Sequence, residues 1–456
     1  MEREVTLREV LEARERRVAR QHELLEQYGG PLISFTMNIA GPVKDSPLIR
    51  RAFNAGCRQL KAALEDGLLP VRCWEEERSA TGCQLYCAVE GDPLAVKRIC
   101  AGIEDDTTLG RLFDMDVLNG DGTKLDRGQV GGGDRNCIVC GAPGRGCASR
   151  RLHTVTELQS ATRRILTEYF EEADADAAAA LATRALTDEV STTPKPGLVD
   201  RANSGSHRDM DLATFRASIA ALAPYWKRCV QIGQETADQP QAETFALLRG
   251  AGLEAEDAML AATGGVNTHK GAIFTLGTVC GAVGCLWRPE EPCRDVKRIL
   301  EECAAMTKTA VEADWAAVET IPGEKLTVGQ RLYRDHGLRG IRGEVADGLP
   351  GVAELALPAF EAALAAGRSR NDAGAIALLP LIARGTDTNM IARGGLDGAR
   401  QAAKEARALL EREPMPSMAE IARLDNDFIA RNLSPGGCAD LLAVTYFLHD
   451  WAESER

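Results

Sequence analysis

Residues 171–182 read EEADADAAAALA, and the chain changes character on either side of them. A basic stretch comes before; a long Gly- and Ala-rich region with few strand signals comes after, so a domain boundary with a short Ala/Asp linker is expected here. A chain of 456 residues also exceeds what one hydrophobic core usually organises. Two domains follow, residues 1–172 and 173–456.

Upstream of the boundary, LISFTMNI (residues 32–39) places Ile33, Phe35, Met37 and Ile39 on one face, and Cys83, Leu85, Cys87 and Val89 alternate in the same way. Period-2 alternation of this kind predicts strands. Between them Asp45, Ser46 and Pro47 supply a cap and a first-turn proline for a helix carrying Ile49, Phe53, Leu60 and Leu64. The first domain is therefore expected to be α+β. Downstream, residues 174–190, 212–232, 243–263, 270–287 and 295–320 carry helical periodicity, which predicts an all-α second domain. Its connections TPKPGLVDRANSGSHRDMD, TGGVNTHKG, GLRGIRGEVADGLPG and RGTDTNMIARGG are richer in reactive groups than bundle turns require, and chemistry is expected there.

Composition excludes several classes of function. Hydrophobic residues make up 45% and charged residues 27%, as in an ordinary globular protein, and the net charge is -13. That charge opposes broad binding to nucleic acid or anionic membranes, so neither is expected as a partner, and phosphate binding must be local. The N-terminal MEREVTLREVLEARERRVAR lacks a signal-peptide core. Residues 271–287 are uncharged but short for a span and rich in Gly, Ala and Thr, which predicts a buried core helix. Fourteen irregularly spaced cysteines suit reduced thiols and a cytoplasmic location.

Two constellations stand out in the first domain. In RLFDMDVL a strand would project Asp114 and Asp116 from one face, about 7 Å apart at Cα, where they could share magnesium; the alternative is a solvated strand face. Cys137, Cys140, Cys147 and His153, spaced C-x2-C-x6-C-x5-H, have the ligand types of structural zinc, with plain reduced thiols as the alternative.

In the second domain one loop concentrates Lys195, Asp200, Arg201, Asn203, His207, Asp209 and Asp211, a mixture able to hold a magnesium-bound triphosphate or simply to solvate a surface. Asn267, Thr268, His269 and Lys270 precede an apolar helix whose free N–H groups favour an anion; capping by Asn267 or Thr268 is the plainer reading. Arg339, Arg342 and Glu344, then Asp387, Asn389 and Arg393, repeat the mix of cation, carboxylate and glycine.

The stretches TPKPGLVDRANSGSHRDMD, GGVNTHKGAIFTLG, GLRGIRGEVADGLPGV and DTNMIARGG, in this order, resemble the ATP:dephospho-CoA triphosphoribosyl transferases over roughly residues 175–450. YGGPLISFTMNIAGPVKDSPLIRRAF, GRLFDMDVL and RNCIVCG with CASRRLH resemble the phosphoribosyl-dephospho-CoA transferases, the holo-acyl-carrier-protein synthases of citrate lyase, over about residues 5–170. The resemblance implies a fusion of two successive enzymes, with a nucleotidyltransferase-like first domain, and with ATP, dephospho-CoA and the acyl carrier subunit of citrate lyase as partners. The related chemistry of malonate decarboxylase is the alternative client, and a docking module the alternative role for the first half.

The resemblance further implies carboxylate roles for Asp209, Asp211, Glu344 and Asp387, with magnesium at Asp209 and Asp211 as well as at Asp114 and Asp116. Lys195, Arg201, His207, Asn267, His269, Lys270, Arg342, Asn389 and Arg393 would bind substrate in the second domain. Lys44, Arg50 and Arg51 would do so in the first.

Overall fold

The structure, a computed structural model, describes residues 3–133 and 135–454. It divides into two compact units, residues 1–172 with 289–291, and residues 173–288 with 292–456. Mainly helical, it carries one small antiparallel sheet near the N-terminus.

In the first unit Thr6 and Glu9 close a capping box at the start of helix α1 (Leu7–Tyr28). Strands β1 (Leu32–Met37), β2 (Val71–Ser79), β3 (Gly82–Val89) and β4 (Phe113–Leu118) form a sheet in the order β2-β3-β1-β4. Helix α2 (Pro47–Asp66) begins at Ser46, whose hydroxyl accepts from the Ile49 N–H, and α3 (Pro93–Asp106) begins at Asp92. The register sets the sheet's two faces. Phe35 lies opposite Leu85 and Met115, whereas Thr36 lies opposite Gln84 and Asp114, and Ser34 opposite Tyr86 and Asp116. The apolar face is covered by α2 and α3: the Phe53 ring stacks on Phe35 at 5.0 Å, and Phe113 meets Phe35 edge-on at 5.1 Å. On the other face Leu24 and Leu25 of α1 cluster with Leu32, Tyr86, Ala88 and Leu118, leaving polar groups beside them.

Helices α4 (Gly144–Arg150) and α5 (Val155–Ser191) follow. The expected Ala/Asp linker is instead part of α5: alanine is the best helix former, and Ala175, Ala178, Ala179, Ala182 and Ala185 are buried at helical spacing. Low-complexity composition here encodes a packed helix face.

The second unit adds eleven helices among the described residues. These are α6 (Leu212–Glu235), α7 (Gln241–Ala262), α8 (Lys270–Cys285), α9 (Val296–Val318), α10 (Val328–His336), α11 (Gly340–Ala346), α12 (Leu357–Ala365), α13 (Arg370–Ala383), α14 (Thr388–Arg412), α15 (Met418–Ala430) and α16 (Gly436–Glu453). The uncharged stretch at 271–287 forms most of α8, whose residues from Thr275 to Cys285 are all buried. No single helix among the described residues is long and apolar enough to cross a membrane. Close packing of α8 on α6 rests on glycine. A Cβ on Gly284 would overlap the Val230 carbonyl and reach 2.9 Å from the Gly233 Cα, and one on Gly233 would overlap the Gly281 carbonyl. Gly284→Ala should therefore destabilise the second unit by about 1–3 kcal/mol, as overpacking does, and lower its unfolding midpoint in calorimetry; an unchanged midpoint would show that the helices can separate freely.

Candidate functional site

The last turn of α5, the 192–211 loop, the start of α8 and the start of α14 enclose a cavity of about 480 Å³ in the second unit. Lys195, His207, Asn267, His269, Lys270, Arg342, Asn389 and Arg393 all border it. Four of these, Lys195, Lys270, Arg342 and Arg393, are cationic side chains from four separate chain segments, and at the N-terminus of α8 the Lys270 N–H donates to Asn267 Oδ1 at 3.2 Å.

Lys195 is buried and ion-paired with Glu189, and its Nζ also donates to the Glu189 carbonyl at 2.9 Å. Burial raises the Glu189 carboxyl even though the Lys195 charge opposes it. Lys270 pairs with Glu256 at 2.7 Å, and Arg342 lies 3.4 Å from Asp314. His207 is held on both sides. Because a guanidinium only donates, its Nδ1 accepts from Arg393 at 3.1 Å, which leaves Nε2–H to donate to Ser434 Oγ at 2.8 Å. His269 Nδ1 meets Ser218 Oγ at 2.7 Å, while its Nε2 is buried with no protein partner. Burial first, and nearby cations second, pull His269 down to about 3 and His207 to about 4.

Three acidic groups on this wall, Glu189, Glu256 and Asp440, escaped the sequence reading. Asp440 sits on α16 against the start of α8, where a Cβ on Gly271 would overlap its carboxylate. Enclosure by protein, then the charges of Glu189 and Asp387, raise its carboxyl well above the ordinary range. The available signal was an aspartate inside the apolar run CADLLAV.

The carboxylates expected to act lie around this cavity rather than on its wall. Glu344 and Asp387 border a smaller adjoining cavity of about 210 Å³, whose wall shares Ile341, Thr388 and Gly437 with the first. Glu344 is gripped by Arg384 at 2.8 Å, and Asp387 caps α14 while accepting from the Cys438 N–H at 2.9 Å. Asp211 caps α6 through Thr214, Asp209 is exposed 3.9 Å from His207, and Arg201 donates to Asn371 at 2.7 Å.

In the first unit Asp114 and Asp116 project from the polar sheet face, as their alternation with Phe113, Met115 and Val117 requires. Asp116 pairs with Lys124 at 2.5 Å. Surrounding protein, then the Asp116 charge, raise the Asp114 carboxyl, although its side chain keeps solvent access. Arg17 of α1, absent from the sequence reading, reaches the same face and donates to Gln84 at 2.8 Å. The Lys44 ammonium turns to the Ile39 carbonyl, Arg50 pairs with Asp45, and Arg51 lies over the Phe170 ring at 4.0 Å. Elsewhere in this unit the donor atoms of Cys137, Cys140, Cys147 and His153 lie within 4.8 Å of one another.

Residues 175–456 match the family of ATP:dephospho-CoA triphosphoribosyl transferases, and residues 5–169 match the apo-citrate lyase phosphoribosyl-dephospho-CoA transferases. A probable 2-(5''-triphosphoribosyl)-3'-dephosphocoenzyme-A synthase of Pectobacterium carotovorum is 46% identical over 268 residues, 59% of this chain and 86% of its own. The corresponding synthase of Klebsiella pneumoniae is 40% identical over 268 residues, 58% of this chain and 87% of its own. Protein CitXG of Haemophilus influenzae is 33% identical over 464 residues, covering 97% of this chain and 96% of the relative. With both family matches in the order that this full-length relative shares, the chain belongs to the fused family and is a bifunctional transferase of citrate lyase prosthetic-group biosynthesis.

Proposed function

We propose that the 480 Å³ cavity is where the triphosphoribosyl group of ATP passes to dephospho-CoA. The ribose 2'-hydroxyl of dephospho-CoA attacks C1' of the ATP ribose, the bond from C1' to the base nitrogen breaks, and adenine leaves with a proton. The observation that carries this reading is the convergence of Lys195, Lys270, Arg342 and Arg393 with the α8 N-terminus on one enclosed space that also holds Asp440. The cations, with the favourable dipole of α8, bind the triphosphate and fix C1' against the acceptor. Asp440, the carboxylate set against the start of α8 on the cavity wall, is placed to take the hydroxyl proton. His269 Nε2, buried and unpartnered, offers a neutral hydrogen-bonding group to the substrate.

The polar sheet face of the first unit then serves the second transfer, in keeping with a nucleotidyltransferase-like role. A serine hydroxyl of the citrate lyase acyl carrier subunit attacks the α-phosphorus, the bond to the pyrophosphate oxygen breaks, and a phosphodiester remains. Asp114 and Asp116 suit magnesium, because two carboxylates on one strand face offer hard oxygen ligands, and a divalent cation relieves the charge by which Asp116 raises the Asp114 carboxyl. Bound there, the ion would neutralise charge at the reacting phosphate. Lys124 pairs with Asp116, and Arg17, held by Gln84, adds positive charge to the same face. At Asp209 and Asp211 the donor set is thinner, since Asp211 is engaged in the α6 cap.

The two reactions should separate by mutation. Asp114→Asn and Asp116→Asn should each slow carrier modification about 100-fold or more while adenine release stays intact. Asp440→Asn should slow adenine release by about 10²–10⁴, with transfer from supplied intermediate unchanged. Equal loss of both activities in any of these variants would contradict the division of labour.

The histidines make a further expectation. With folded values of about 3 and 4 against an ordinary 6.5, both stay neutral in the folded unit while the unfolded chain takes up protons below pH 6.5. Stability is thus undiminished above pH 6.5 and falls as pH drops towards 4, by up to about 1.4 kcal/mol per pH unit for each histidine. Urea unfolding at pH 7 and pH 5 measures this, and His269→Gln should flatten the dependence.

A further inference from the structure

The turn and helix between residues 135 and 154 bury few apolar side chains. Cys147 is the one buried hydrophobic residue described there, and Leu152 is exposed. Yet the segment is sharply folded. The Cys137 N–H donates to the Ala142 carbonyl at 2.7 Å, the Gly141 N–H returns to the Cys137 carbonyl at 2.9 Å, and Gly141 takes φ 73°, a conformation suited to glycine. Asn136 bridges to Pro143, closing the turn. A short segment with so little core needs another staple.

Three sulfurs and one imidazole converge where that staple would be. Cys137 and Cys140 come from the turn, Cys147 from α4 and His153 from the approach to α5, all four with donor atoms within 4.8 Å of one another. The Cys140 and Cys147 sulfurs are 3.5 Å apart. That separation is far beyond a disulfide bond of about 2.05 Å and close to the edge of a tetrahedron built on zinc-sulfur bonds of about 2.3 Å. His153 Nε2 is buried without any hydrogen-bond partner, an orphan that a metal bond would satisfy.

We propose that Cys137, Cys140, Cys147 and His153 bind one zinc ion as a closed, structural Cys3His site. Four protein ligands leave no open position, so the ion does no chemistry itself. Its effect is on Arg135, two residues before the first ligand. The Arg135 guanidinium donates to the Phe113 carbonyl at 2.7 Å and to the Glu104 carbonyl at 3.1 Å. The stapled turn is thereby tied to the first residue of β4, next to Asp114. Arg111, Arg127, Arg135 and Arg151 border the cavity of about 840 Å³ beside the site, together with Cys137, Cys147 and His153. Zinc thus sets one wall of a basic cavity at the start of the strand that carries the acidic pair.

The test is metal analysis of the full chain, purified under reducing conditions without chelator from zinc-supplemented cells. One equivalent of zinc is expected, falling below a tenth of an equivalent in the Cys140→Ser, Cys147→Ser double variant. Because that variant could misfold, cobalt(II) is also exchanged into the wild-type protein, where thiolate charge-transfer and tetrahedral ligand-field bands are expected. A wild-type protein that stays metal-free after zinc addition, a disulfide joining Cys140 to Cys147, or an octahedral cobalt spectrum would each overturn the proposal.

Discussion

A lysine ammonium removed from water has to be paired, and the pairing of Lys195 with Glu189 organises the second unit's cavity. Both residues are at most 3% exposed. Such a pair does little for stability compared with apolar residues of the same volume, but loss of one partner strands a buried charge at a cost of about 3–5 kcal/mol. It therefore locks the end of α5 to the loop that follows. From there the loop is pinned residue by residue: the Gly197 N–H donates to Asp425 at 2.8 Å, Asn203 donates to the same carboxylate at 3.1 Å, and the Ser206 hydroxyl donates to the Leu433 carbonyl at 2.6 Å. These contacts carry His207 to Ser434 and Arg393, and so complete the cavity wall. A polar loop with a fixed course is what positioning a triphosphate demands.

The first unit meets a similar demand by another route. Its sheet segregates chemistry by the period of a strand, with Phe35, Leu85 and Met115 turned into the core and Thr36, Gln84 and Asp114 turned away from it. Glu104, buried on α3, accepts from the Met115 N–H at 2.8 Å and pairs with Arg127 at 2.9 Å, so β4 is braced from behind by a charged group. The acidic pair consequently rides on a rigid element, which is the arrangement that holds a catalytic constellation most closely.

Much of this was legible in the amino-acid pattern, and the gaps have physical causes. Alternation disclosed β1, β3 and β4, and Ser46 with Pro47 marked the start of α2, because each signal is local. Strand β2, VRCWEEERS, was invisible: at the sheet edge both its faces meet solvent, and no alternation survives. The Ala/Asp stretch misled because alanine-rich sequence suits a packed helix as well as a linker. Among site residues, those in glycine-bearing loops stood out, while Glu189, Glu256 and Asp440 lie within helices and become site residues only when distant segments meet. Spacing could nominate Asp387 and Glu344, but only coordinates show them engaged at the α14 cap and with Arg384. The cysteine set was readable as ligand types; its convergence was not.

The central claim is that one chain builds the prosthetic group and then attaches it. The most direct measurement incubates the purified protein with ATP, dephospho-CoA, magnesium and the apo acyl carrier subunit of citrate lyase, following free adenine and the carrier's mass together. The account predicts adenine release accompanied by a carrier heavier by one phosphoribosyl-dephospho-CoA group per chain. A carrier that stays unmodified while adenine accumulates, or the absence of both products, would contradict it.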